Sequence, residues 1–111
     1  MKIDFKHKKL ADGRWQKFTL QEQMGNIGSE VYRAAGFQNK DEKLFKIAVE
    51  KALELFDLTL ADPRLRGRLR EIGRAREVFC DAFCGGELYG STFKSLMPYF
   101  DQFAFAARSK L

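Results

Sequence analysis

The chain has 111 residues, 45% of them hydrophobic and 32% charged, which is the size of one compact domain and excludes a barrel enzyme. Its 11 Phe, 3 Tyr and 1 Trp make a 14% aromatic content foreign to disordered chains, and 2 Pro leave long runs open to helix. A net charge of +5 favours anionic partners without naming one.

No stretch approaches the roughly 18 uninterrupted apolar residues of a membrane span, and MKIDFKHKKL has no apolar segment behind its positive charges. The expectation is a cytoplasmic protein with no membrane contact. In that setting Cys80 and Cys84, one helical turn apart, are expected as two reduced core thiols.

Residues 1–18 form a short, irregular, basic arm: Lys2, Lys6, Lys8, Lys9, Arg14 and Lys17 stand against Asp4 and Asp12. Ile3, Phe5, Leu10, Trp15 and Phe18 are spaced among the charges, so part of the arm is expected to pack on the domain. The domain proper is residues 19–111. Thr19-Leu20-Gln21-Glu22 is a capping box that starts the first helix, and Leu20, Met24, Ile27, Val31 and Ala34 or Ala35 line one apolar stripe. Gly25 and Gly28 weaken that helix by about 1 kcal/mol each, which predicts close approach of another helix or of the arm.

After Gly36 a polar turn leads to Asn39 or Asp41 as the cap of a second helix ending near Leu60. Apolar residues cover more than one of its faces, so it is central, with Glu50, Lys51, Glu54 and Asp57 as its wet edge. Asp62-Pro63 predicts a third helix beginning at Pro63, with Leu65, Leu69, Ile72, Ala75 or Arg76, Phe79, Ala82 and Phe83 in its stripe. The short connection makes helices two and three an antiparallel hairpin. Three glycines in 85–90 end helix three, and a last helix runs from Ser91 or Ser95 to Arg108. Pro98 is harmless if Ser95 is the cap; an earlier start requires a kink there. Phe93, Leu96, Met97, Phe100, Phe103, Ala104 and Ala107 make the apolar face, leaving Tyr99 and Phe105 off it. The predicted fold is all-α: an up-and-down four-helix bundle with a short irregular N-terminal arm.

Material for catalysis is thin. His7 is the single histidine, and Cys80 and Cys84 have no further ligands at zinc spacing. No Arg is followed four to six residues later by a His, as in small helical nucleases. The carboxylate pairs Glu50/Glu54 and Glu54/Asp57 lack the Glu-x-x-His of di-iron bundles and are read as solvated partners of Lys46 and Lys51. The expectation is no catalytic residue, no metal and no cofactor.

The feature with functional content is the run Arg64, Arg66, Arg68, Arg70, Arg74 and Arg76, offset by Glu71 and Glu77. Guanidinium groups bridge phosphates bidentately, so this face together with Lys6, Lys8 and Lys9 of the arm suits a nucleic-acid backbone. The same arginines also suit salt bridges to Asp57, Glu54 or Glu77, within the chain or between subunits. Surplus aromatic residues, Tyr99 and Phe105 among them, suit a contact with a protein partner or a second copy.

Asn26-Ile27-Gly28-Ser29-Glu30-Val31 with Arg33-Ala34, Ala52-Leu53-Glu54-Leu55 with Asp57-Leu58-Thr59, Ala61-Asp62-Pro63-Arg64, and Arg76-Glu77-Val78 with Cys80-Asp81 resemble a set of small uncharacterised bacterial proteins. These carry no function to transfer. More distantly, the Asn-Ile-(small) stretch and the following Ala-Leu-rich helix are similar to the four-helix proteins encoded in ribosomal RNA intervening sequences. Relatives of those, the accessory variability determinant proteins of diversity-generating retroelements, form pentameric basic barrels that bind a reverse transcriptase and its RNA. The resemblance implies a non-enzymatic basic homo-oligomer working beside RNA or DNA, as an accessory to a larger enzyme such as a reverse transcriptase. The competing expectation is a homo-oligomeric or partner-binding module with no nucleic-acid role.

Overall fold

The computed structural model describes residues 14–109; Lys6, Lys8, Lys9 and His7 lie outside the described residues. Among the described residues, four α-helices make up an all-α bundle: α1 (Leu20–Phe37), α2 (Glu42–Leu60), α3 (Leu69–Phe83) and α4 (Phe93–Ser109). α1 packs antiparallel to both α2 and α4, and these are the closest associations in the bundle.

The start of α1 follows from its cap. The Glu22 N–H donates to Thr19 Oγ1 at 3.2 Å while the Thr19 N–H donates to Glu22 Oε1 at 2.9 Å, a reciprocal arrangement in which the cap alone is worth about 1 kcal/mol. The stripe Leu20, Met24, Ile27, Val31 and Ala34 is buried. Past the helix end Asn39 takes the left-handed conformation (φ 65°), and Asp41 caps α2 by accepting the Leu44 N–H at 3.0 Å.

The two α1 glycines are where α4 crosses. A Cβ on Gly25 would stand 3.3 Å from Ala104 Cα, and one on Gly28 would stand 2.7 Å from Phe100 Cβ. The missing side chains admit the partner helix, as their retention inside a helix predicts, and the Tyr32 hydroxyl on α1 bonds the Asp101 carboxylate of α4 at 2.8 Å. Phe100 then reaches the centre, where the ring centroids of Phe56 and Phe100 are 6.0 Å apart, Phe56 and Phe79 5.8 Å, and Phe79 and Phe93 5.4 Å. Each such buried ring contributes about 1.5–3 kcal/mol by leaving water.

The structure differs from the sequence-based expectation in α3, α4 and α2. The run from Pro63 is a 3-10 segment, Pro63–Arg68, before α3 begins at Leu69. Leu65 leaves helical geometry (φ −103°, ψ 18°), which turns its side chain into the core, and Gly67 adds little to hold an α-turn together. Leu69 and Phe83, assigned to the buried stripe, are exposed.

In α4 the cap is Thr92, not Ser95. The Ser95 N–H donates to Thr92 Oγ1 at 3.0 Å and the Thr92 N–H donates to Ser95 Oγ at 2.9 Å. The helix therefore begins at Phe93 and contains Pro98, whose absent N–H leaves the Lys94 carbonyl without its helical donor. In α2, Glu54 is buried rather than on a wet edge. Lys46 pairs with Glu42 at 3.3 Å and Asp57 with Arg76 at 3.0 Å.

Candidate nucleic-acid interface

The six arginines between α2 and the middle of α3 fall into distinct environments. Arg64 is structural. Its guanidinium grips the buried Asp62 carboxylate, with Nη2 at 2.7 Å from Oδ2, and also donates to the Phe18 carbonyl at 2.8 Å. Gln23 completes the cluster by donating to Asp62 Oδ2 at 3.1 Å and to the Trp15 carbonyl at 3.0 Å. The Trp15 indole N–H in turn donates to Thr59 Oγ1 at 2.9 Å. Residues 15–18 are thereby tied to the end of α2. The Arg64 hydrogen bond holds the Asp62 carboxyl down at about 2 against the opposing effect of burial.

Arg68 pairs with Glu71 at 2.8 Å, and Glu71 also accepts the Tyr99 hydroxyl at 3.2 Å. The Arg68 hydrogen bond lowers the Glu71 carboxyl. Arg76 spans the α2–α3 hairpin to Asp57 and approaches Cys80 Sγ at 3.7 Å. Arg74 is held loosely: its nearest acid among the described residues, Glu77, is at 3.9 Å, and its guanidinium lies 5.5 Å from the centre of the Tyr89 ring. Arg66 and Arg70 are exposed and form no ion pair with any described residue.

The charge count of the run therefore overstates its available surface. Arg64 and Arg76 are occupied by acids within the fold, and Arg68 is neutralised locally by Glu71. Arg66 and Arg70 are the exposed members of the run with no ion pair to a described residue, and Arg74 is held only loosely. Arg70 and Arg74 sit one turn apart on α3, about 6 Å along the axis.

Beyond Arg74 the surface changes character. The segment 84–92 is folded back on Asp81, whose carboxylate accepts the N–H groups of Leu88 at 2.9 Å, Tyr89 at 3.1 Å and Ser91 at 3.2 Å. Burial would raise the Asp81 carboxyl, but these backbone donors outweigh it and leave it lowered. Gly86 (φ 77°) is packed so tightly that a Cβ there would stand 2.6 Å from the Ser91 carbonyl oxygen, so glycine is required on both counts. The turn presents Leu88, 83% exposed, and Tyr89, 47% exposed. With Arg76, Glu77, Cys80 and Cys84 of α3 and its end, they border a groove of about 610 Å³. Cys84 is exposed and Cys80 partly covered, and burial pushes the Cys80 thiol up.

The two aromatic residues singled out for a partner contact are placed differently. Tyr99 is half-buried, with its ring 5.2 Å from those of Phe100 and Phe103, and burial together with the neighbouring Glu71 raises its hydroxyl well above the ordinary tyrosine value. It lines an apolar cleft of about 300 Å³ together with Val78, Leu96 and Arg74. Phe105, at 68% exposure, points to solvent. Tyr89 escaped the sequence reading, although an aromatic residue bracketed by Gly85, Gly86 and Gly90 is a usable signal for a displayed ring.

Among the described residues no group of three or more His, Cys, Asp or Glu could hold a metal ion, and no helix is long and apolar enough to cross a membrane. Comparison with family models, with curated proteins and with solved structures returns no match to this chain. What is established is a small four-helix protein.

Proposed function

We propose that this protein is a non-enzymatic basic helical-bundle protein that associates with RNA or DNA, acting as an accessory to a larger nucleic-acid enzyme such as a reverse transcriptase. The observation that carries this reading is the pair Arg66 and Arg70, exposed and free of acidic partners among the described residues, beside the loosely held Arg74. Exposed guanidinium groups meet phosphate oxygens bidentately and release the counterions condensed on the nucleic acid. Contacts of this kind position a backbone and read little sequence. The basic residues of the arm, Lys6, Lys8 and Lys9, belong to the same reading, as does the likeness to accessory proteins of retroelements. The role involves no catalytic residue and no cofactor.

The test is the double variant Arg66→Glu/Arg70→Glu, chosen because neither side chain contributes an ion pair to the described fold. Binding to a labelled 20-nucleotide RNA or DNA at low salt should fall about ten-fold or more, with the helical circular-dichroism signal and melting temperature unchanged. Binding retained at full strength would overturn the proposal.

A second reading is favoured by Phe105, whose ring is exposed near the end of α4. Here the occupant is a second copy of the chain, and Phe105→Asp should give a smaller particle by light scattering. An unchanged mass counts against it.

A further inference from the structure

We infer that the groove beside Tyr89 receives an unpaired base, so that the nucleic acid bound by this protein is single-stranded. The inference rests on the phosphate-binding reading of Arg66, Arg70 and Arg74 and names the class of strand that those arginines serve.

Three properties of the site converge on a base. The first is a displayed ring in a fixed position. Tyr89 is 47% exposed, yet its backbone N–H is anchored on Asp81 and its hydroxyl lies 3.4 Å from Glu77 Oε2. The turn that carries it is braced by the Gly86 N–H on the Asp81 carbonyl at 2.8 Å and the Gly90 N–H on the Gly86 carbonyl at 2.9 Å. An aromatic platform that is already ordered loses little freedom when a flat partner stacks on it. A base inside a duplex is covered by its neighbours and cannot reach such a platform; a base in a single strand can.

The second property is continuity with the arginines. The Arg74 guanidinium packs 5.5 Å from the Tyr89 ring centre, and the ring also borders the groove. One residue therefore joins the arginine stretch to the cavity, so that a strand whose phosphates follow Arg70 and Arg74 delivers its next base to Tyr89. The third property is the change of charge. Glu77 and Glu87 line the groove with Tyr89, and the one arginine there among the described residues, Arg76, is paired with Asp57; carboxylates repel phosphate but accept N–H groups from the edge of a base. Donors for phosphates thus lie along α3, and acceptors for bases lie where that surface becomes concave. At about 610 Å³ the groove is within the range, roughly 300–1,000 Å³, of sites that hold small organic groups.

The experiment compares a fluorescein-labelled 20-nucleotide single strand with the duplex of the same sequence at low salt, by anisotropy, for the full chain and for Tyr89→Ala and Tyr89→Phe. The expected result is tighter binding of the single strand, weakened about ten-fold or more by Tyr89→Ala because one stacked base is lost. Tyr89→Phe, which keeps the ring and removes only the long hydroxyl contact, should bind within about two-fold of the parent chain. Duplex binding should be the same for all three proteins. If Tyr89→Ala binds the single strand as the parent does while Arg66→Glu/Arg70→Glu loses both nucleic acids, the base site is refuted and the phosphate-binding reading stands. If the parent chain binds neither strand nor duplex, both fall.

Discussion

Replacing Gly28 by Ala tests the packing on which the bundle depends, because two opposing effects of known size meet at that position. In an α-helix the change is ordinarily favourable by about 1 kcal/mol. The new methyl group, however, would stand 2.7 Å from Phe100 Cβ and 3.3 Å from its Cγ, whereas carbon atoms rest at about 3.5–4.0 Å. Relief requires α1 and α4 to part by about 1 Å, since a Cβ cannot rotate away. Overpacking of this kind costs about 1–3 kcal/mol, and Phe100, 1% exposed and in contact with Phe56 and Tyr99, belongs at the upper end. The net expectation is a loss of about 1–2 kcal/mol, read as a fall of roughly 5–15 °C in melting temperature for a domain of this size. Gly73→Ala is the internal control: it lies in α3 with nothing within 4 Å of the added carbon. That variant should gain up to about 1 kcal/mol. Urea and thermal unfolding of both variants decide the matter, and a Gly28→Ala protein at least as stable as the parent would refute the close approach of α1 and α4.

Two further expectations concern titration. Asp62, held at about 2 by the Arg64 hydrogen bond, has a folded value below the unfolded value of about 3.9. Its stabilisation is therefore present above pH 4 and is lost as pH falls through about 2, amounting to roughly 1–2 kcal/mol. Asp62→Asn should remove that part of the acid sensitivity in urea titrations at pH 5 and pH 2.5; an identical pH dependence in the variant would contradict it. Cys84 should be alkylated by iodoacetamide before Cys80 at pH 8, because Cys84 is exposed while burial raises the Cys80 thiol. Peptide mapping showing Cys80 modified first would be the contrary result.

Much of the architecture could be read from local chemistry because the signals are short-ranged. Thr19 and Glu22 cap one another across three residues, Asp41 caps α2, and the α1 stripe is an uninterrupted helical period. Gly25 and Gly28 announced a close neighbour because nothing local explains glycine there. The α3 entry was less legible: Asp62-Pro63 marks the boundary, but whether the chain proceeds as α or 3-10 helix depends on the tertiary burial of Leu65. The same limit applies to α4, where Thr92 and Ser95 are both competent caps and the core position of Phe93 selects Thr92.

Site legibility followed a similar line. Six arginines are visible in the sequence, but which of them remain available depends on acids brought close by folding. Asp57 reaches Arg76 across the hairpin, and Asp62 and Glu71 take Arg64 and Arg68 through local turns. Asp57 and Glu77 were among the candidate acids named from spacing; Asp62 was read only as a cap. Tyr89 was missed because its display depends on three backbone donors converging on Asp81, which no periodicity records.

The most direct test of phosphate recognition by Arg66 and Arg70 is the salt dependence of single-strand binding for the full chain and for Arg66→Gln/Arg70→Gln. Each phosphate neutralised on a single strand contributes about −0.7 to the slope of log K against log salt. Removing two such contacts should make the slope shallower by about 1.4. A parent chain that binds with a steep slope, flattened by that amount in the variant, is the expected result; equal slopes, or no binding at low salt, would contradict it.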